Sequence, residues 1–391
     1  MNTPACRSLF LALLCSLAGP PARAAAEPPR VHVVSTPGDG LQPDALVDAQ
    51  GTIHLVYLKG DPKACDVFYV HRAAGEPVFS APQPVNSQPG SAVAIGTIRG
   101  AQLALGRNGS VHVLWNGSGQ AMPQMPESAP LLYSRRQDAG GAFAPQRSLS
   151  EGTVHLDGGG AIAADERGRV FVVWQAGAAD GPRGERHRAV FVGVSADDGR
   201  TFAAKRAVSP ATAGVCACCA LETALDQEGR LSILYRSVTA EGSRDLTWLR
   251  SDGVGRVFLP ALLQEWRVAA CPMSSMALVR QDGGSMWAAW ETRGQVHRSL
   301  LQPGTGSAGP RLGPAGGAGN RRHPVLATRG SPGDPILMAW AIGTGWQKGG
   351  AVGWELTEST GRTTSGRAEG LPVWSRPAAV AGADGSFTVF R

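Results

Sequence analysis

The chain has 391 residues, and its 37 basic and 31 acidic side chains give a formal net charge of +6. Removing Arg7 and Arg23 with an N-terminal leader leaves 35 basic against 31 acidic residues, a balance of +4, which is too mild to point to a nucleic-acid ligand. With 52 Gly, 28 Pro and no helical periodicity lasting several turns, the composition argues against a helix bundle and for many short strands joined by tight turns.

In chain order, residues 1–24 read as a signal peptide. Arg7 supplies the positive start, Leu9 to Leu17 the apolar stretch, and Ala22-Arg23-Ala24 a small-x-small cleavage site. Leu14 before Cys15 makes a poor lipidation signal. No later segment is long and uniformly apolar, so the expectation is an exported protein, periplasmic or secreted, that is not integral to a membrane. Residues 25–391 form one domain.

That domain repeats one hairpin: a short strand, a polar turn with Gly, then an alternating apolar strand closing on Trp or Tyr. The turn glycines stand at 51, 109, 168, 229, 283, 333 and 385, at steps of 58, 59, 61, 54, 50 and 52 residues. Gly in such a turn supplies positive φ, and the alternation after it buries one strand face. Regular repetition of one small sheet is the mark of propeller blades. The fold expected is therefore all-β, a single β-propeller of four-stranded antiparallel blades. Seven blades are predicted, the seventh built from residues 376–390 and the N-terminal strand 30–35, with six as the alternative.

Within the third repeat, Ser195-Ala196-Asp197-Asp198-Gly199-Arg200-Thr201-Phe202 resembles the Asp box, S-x-D-x-G-x-T-[WF], of the sialidase superfamily. Weaker relatives run over Ser134 to Phe143 and Arg250 to Phe258. The resemblance implies a turn between the third and fourth strands of a blade, with its Asp accepting hydrogen bonds and its aromatic ring plugging the core. It also implies arginines that clamp a sugar carboxylate, a Tyr nucleophile paired with a Glu, and an Asp acid/base. The only tyrosines are Tyr57, Tyr69, Tyr133 and Tyr235, none in the last third where the family's nucleophile falls, and no Arg-Ile-Pro motif stands near the N-terminus. The resemblance thus reaches the fold before it reaches the catalysis.

Ten residues before each turn glycine lie Leu41, Arg99, Gly158, Cys219, Met273, His323 and Ser375, predicted to ring the central channel. From these come the ligand contacts Arg99, Arg322 and His323, with Arg321, Arg236 and Arg376 as further arginine candidates. The inner-strand acids Asp44, Asp157 and Glu222 are the catalytic candidates. His32, His54 and His112 in alternating strands read as solvent-facing, whereas Trp115, Trp174, Trp290 and Trp340 close equivalent strands and read as blade core.

The mature chain keeps Cys65, Cys216, Cys218, Cys219 and Cys271. Val215-Cys216-Ala217-Cys218-Cys219 opens repeat four, and Ala270-Cys271-Pro272-Met273 opens repeat five, so neighbouring inner strands bring four thiols and a thioether together. In an oxidising compartment this reads as disulfides, Cys271 with one of Cys216, Cys218 or Cys219, or a vicinal Cys218–Cys219 bridge, with Cys65 left over. The other reading is a soft, copper-type metal site of Cys216, Cys218, Cys219, Cys271 and Met273.

Three functions follow. The first is an exported sialidase-superfamily propeller that binds a glycan or other anionic small ligand at its channel mouth, with exo-sialidase hydrolysis as its catalytic variant. The second is a copper-binding or redox-linked protein using the cysteine cluster. The third is a structural propeller that engages a protein partner.

Overall fold

A computed structural model describes residue 1 and residues 30–391, apart from 126, 137–140, 254 and 318. The leader assigned to 1–24 and the centre of the weak Asp box at Ser134 to Phe143 lie outside the described residues. Seven small sheets follow one another in chain order. Blade one, for example, runs Leu41–Val47, Ile53–Asp61, Ala64–Arg72 and Gln83–Pro84, each strand antiparallel to the next. No helix among the described residues is long and apolar enough to cross a membrane.

All seven turn glycines sit in the left-handed region, with φ between 71° and 89°. That conformation costs glycine little and other residues more, which is why the repeat was visible in the sequence. The fifth residue of the second strand is aromatic in six blades: Tyr57, Trp115, Trp174, Tyr235, Trp290 and Trp340, none more than 4% exposed. The pleat puts the first, third and fifth residues on one face, so each blade buries one large ring at the same place.

The seventh blade closes the ring. Ala378–Ala381 pairs antiparallel with Phe387–Phe390, and Val31–Val34 joins on the other side in parallel. Among the described residues this blade has three strands rather than four. Val31 and Val33 pack on a core shared by blades six and seven, so both ends of the domain are sewn into one sheet.

The Asp box forms at the end of Ala189–Ser195. Asp197 accepts from Ser195 Oγ at 2.7 Å, Thr201 N–H at 2.8 Å and Thr201 Oγ1 at 2.6 Å, and Gly199 is left-handed. Phe202 meets Tyr133 of blade two edge-on at 5.2 Å. Of the three strand histidines only His32 faces solvent. His54 and His112 are 7% and 0% exposed, because each sits between a carboxylate and a tyrosine. His54 bonds Asp48 at 3.1 Å and Tyr69 at 2.7 Å. His112 bonds Tyr133 at 2.8 Å and lies 3.4 Å from Asp198.

Candidate functional site

The inner strands enclose a cavity of about 1280 Å³ on the propeller axis. It extends to the side of the glycine turns, where Asp48, Asn108, Asp165 and Asp226 help form the rim. At the opposite, inner end the wall carries Asp44 from blade one, Glu222 from blade four and Arg376 from blade seven. Glu222 opens its inner strand, Arg376 stands two residues before Ala378–Ala381, and Asp44 lies within Leu41–Val47 just past its register shift, so three blades direct charge to one end of the channel.

The two acids keep partial contact with solvent inside the channel but are enclosed by protein. Burial pushes the Glu222 carboxyl up to about 8, and the neighbouring Asp44 charge adds to that rise. Burial also raises Asp44, against the pull of Arg376 and the Leu103 N–H, which donates to Asp44 Oδ2 at 2.8 Å. Arg376 is 7% exposed, and its Nε has no hydrogen-bond partner. At neutral pH this end of the channel therefore holds a proton on Glu222 and a guanidinium with bonding capacity to spare.

None of the seven residues predicted to ring the channel lines this cavity. They sit beyond its inner end, in a belt of bonds from blade to blade. Gln42 N–H donates to Ser375 Oγ at 3.0 Å, and its side chain donates to the Ala94 carbonyl. Arg99 donates to the carboxylate and, at 2.8 Å, to the backbone carbonyl of Asp157. Gly158 N–H reaches Ala217 O at 2.8 Å, and Ala220 N–H reaches Ser274 O at 3.0 Å. His323 Nδ1 bonds Ser275 Oγ at 3.0 Å, and its N–H donates to Glu291 Oε2 at 3.0 Å. Arg322 donates to Pro272 O and lies 3.5 Å from Glu291. The ligand contacts expected of Arg99, Arg322 and His323 are thus side chains already engaged with neighbouring blades. Arg321 bonds Gln295 and Ala315, and Arg236 is buried beside the cysteines. Of the three candidate acids, Asp44 and Glu222 face the channel and Asp157 belongs to the belt.

The cysteines do converge. Cys218 and Cys271 form a disulfide, and Cys216, Cys219 and Cys65 are free thiols. Cys216, Cys218 and Cys219 place their sulfurs within 4.8 Å of one another, and Met273 packs against them. Cys65 lies in blade one, where burial pushes its thiol up to about 12. The four tyrosines are each 1% exposed, and none lines the channel.

No protein-family model and no curated protein matches the sequence. Solved structures do. A Dyadobacter fermentans protein of unknown function shares 13% identity over 84% of this chain and 94% of its own, with a TM-score of 0.51. Trypanosoma rangeli sialidase shares 14% over 78% of this chain and 53% of its own, also with a TM-score of 0.51, so the chain matches about half the length of that enzyme. The seven sheets, the Asp-box turn and these likenesses agree: in fold, the chain is a sialidase-like β-propeller.

Proposed function

We propose that the protein is an exported propeller that binds a small, carboxylate-bearing and hydroxyl-rich ligand, a glycan in class, at the inner end of its central channel. The observation that carries this reading is Arg376, a buried guanidinium that shares the inner end of the channel with Asp44 and Glu222. A planar guanidinium recognises a carboxylate by paired, charge-assisted hydrogen bonds. Asp44 and protonated Glu222 supply an acceptor and a donor for hydroxyls on the same ligand. The Cys218–Cys271 disulfide fits an oxidising, extracytoplasmic compartment. The reading is binding without sialidase turnover, since every tyrosine is packed inside a blade.

Titration calorimetry with N-acetylneuraminate and with D-glucuronate tests this directly. Wild type should bind one equivalent of a sugar acid, and Arg376→Met should weaken it by about 10- to 100-fold, the range of a lost charge-assisted hydrogen bond. Failure of both sugar acids to bind, or equal binding by the variant, would remove the channel site. Release of free sialic acid from a fluorogenic sialoside would replace binding with hydrolysis.

A further inference from the structure

The sulfur cluster at the start of blade four lies outside the channel and takes no part in the reading above. Cys216 and Cys219 are 1% and 2% exposed, with their sulfurs 3.3 Å apart. Cys216 Sγ is 3.7 Å from Cys218 Sγ. Metal–thiolate bonds of ~2.3 Å put sulfurs ~4 Å apart in a trigonal complex and ~4.6 Å apart in a linear one, so a small separation of these side chains makes room for one ion. Met273 is held against the cluster by a specific fit. A Cβ at Gly96, whose φ is +93°, would fall 2.9 Å from both Met273 Cε and Arg99 Nη1, so glycine is what lets the blade-two loop pass there.

Charge is a second, independent observation. Arg236 and Arg188 are 1% and 7% exposed, and neither has a carboxylate within 4.0 Å among the described residues. Arg236 donates to Ser274 Oγ, Thr292 Oγ1 and the carbonyls of Arg244 and Glu291. Arg188 donates to Gln175. Cys219, Glu291, Cys216 and Asp245 act electrostatically on Arg236, and Asp157, Glu185 and Cys216 on Arg188, while Arg244, paired with Glu185 at 2.8 Å, also acts on Cys216. Burying cations with no anion in direct contact is costly, and an anionic sulfur complex at this cluster would add counter-charge beside them.

We propose that Cys216 and Cys219 bind one Cu(I) ion, with Cys218 as a third sulfur donor once the Cys218–Cys271 bond is reduced. Two thiols give up two protons, and the ion enters as a dithiolate complex of net charge −1 facing the buried guanidiniums. An all-sulfur donor set favours soft Cu(I) over harder ions. Cys271 is exposed while Cys218 is 8% exposed, so an external dithiol meets the disulfide from the Cys271 side. The dithiol becomes a disulfide, and its two electrons and two protons leave Cys218 and Cys271 as thiols. The disulfide thereby sets whether the site offers two sulfurs or three.

The test is an anaerobic Cu(I) titration of the full chain against bathocuproine disulfonate, before and after reduction with dithiothreitol. One equivalent should be retained in both states, at least tenfold more tightly after reduction. A Cys216→Ser/Cys219→Ser double variant, shown folded by circular dichroism, should lose it, and Cys65→Ser should not. Copper-edge X-ray absorption of the unaltered protein should show sulfur neighbours, a readout that does not depend on the variants folding. No copper held against the chelator, displacement of Cu(I) by Zn(II), nitrogen or oxygen neighbours alone, or a Cys216–Cys219 disulfide in the purified protein would overturn the site. Equal affinity before and after reduction would remove Cys218 from it.

Discussion

Arg99 of blade two and Asp157 of blade three hold each other. The guanidinium donates to the carboxylate and, from Nε, to the Asp157 backbone carbonyl at 2.8 Å, while Nη1 reaches Ile95 O at 2.6 Å. A residue expected to grip a ligand and one expected to serve as an acid are joined in a single inter-blade tie. Arg99→Ala should therefore cost stability rather than binding, about 1–3 kcal/mol for the lost bonds. Chemical denaturation and sugar-acid titration check both halves. A variant of full stability that no longer binds would return Arg99 to the ligand.

Asp198 is the stronger tie, although the Asp-box pattern directs attention to its neighbour Asp197. Asp198 is 4% exposed and joins blade three to blade two, accepting from Ser110 Oγ at 2.9 Å, Arg107 N–H at 3.2 Å and Arg135 Nη2 at 2.8 Å. Against burial, which raises it, the bonds from His112 and Ser110 and then the Arg107 N–H hold its carboxyl well below the usual range. Asp198→Ala strands Arg135 and His112 and should cost about 3–5 kcal/mol. Asp197→Ala, at an exposed turn, should fall well short of that. Equal denaturation midpoints for the two variants would refute the ranking.

The blades were legible because a left-handed turn glycine and a period-two strand are local features. The channel register was not. In blades two to five and seven the inner strand begins at Gln102, Ala161, Glu222, Met276 and Ala378, each three residues after the predicted ring position. Blades one and six start at Leu41 and Arg321 but carry a register shift past Gln42 and His323, at φ 48° and 51°. These offsets are fixed by contacts between blades, which lie some 50 to 60 residues apart in the chain. The same holds for His54 and His112: alternation placed them on an outward face, but partners on neighbouring strands and turns buried them. Asp44 and Glu222 were readable as inner-strand acids. The distinction of Arg376 from the other arginines was not, because it rests on the packing of blades one, four and seven that brings it beside Asp44 and Glu222.

Closure of the ring gives a third expectation. Val31 and Val33 pair with Phe387 and Val389 and pack on the blade-six and blade-seven core. Replacing both with Asp places charge against that core and frees a sheet edge. The loss should be about 2–4 kcal/mol, reduced from full burial because both valines are partly exposed. Self-association on size-exclusion chromatography should accompany it. An unchanged, monomeric melting profile would mean that the N-terminal strand only decorates an already closed ring.

Glu222 makes stability depend on pH in a direction opposite to most carboxylates. Its folded-state value stands near 8, raised first by burial and then by Asp44, against 4.5 for the unperturbed group. The folded state therefore binds the proton more tightly than the unfolded chain. That contribution is fully present below about pH 4.5 and is lost as pH rises toward and through 8. Between pH 7 and 8.5, above the range in which the histidines held below their ordinary value add stability with rising pH, the melting temperature of the wild type should fall, and Glu222→Gln, which keeps the shape without the charge, should flatten the slope. Scanning fluorimetry of both proteins across that window decides it, and parallel slopes would show that Glu222 ionises in the folded channel without cost.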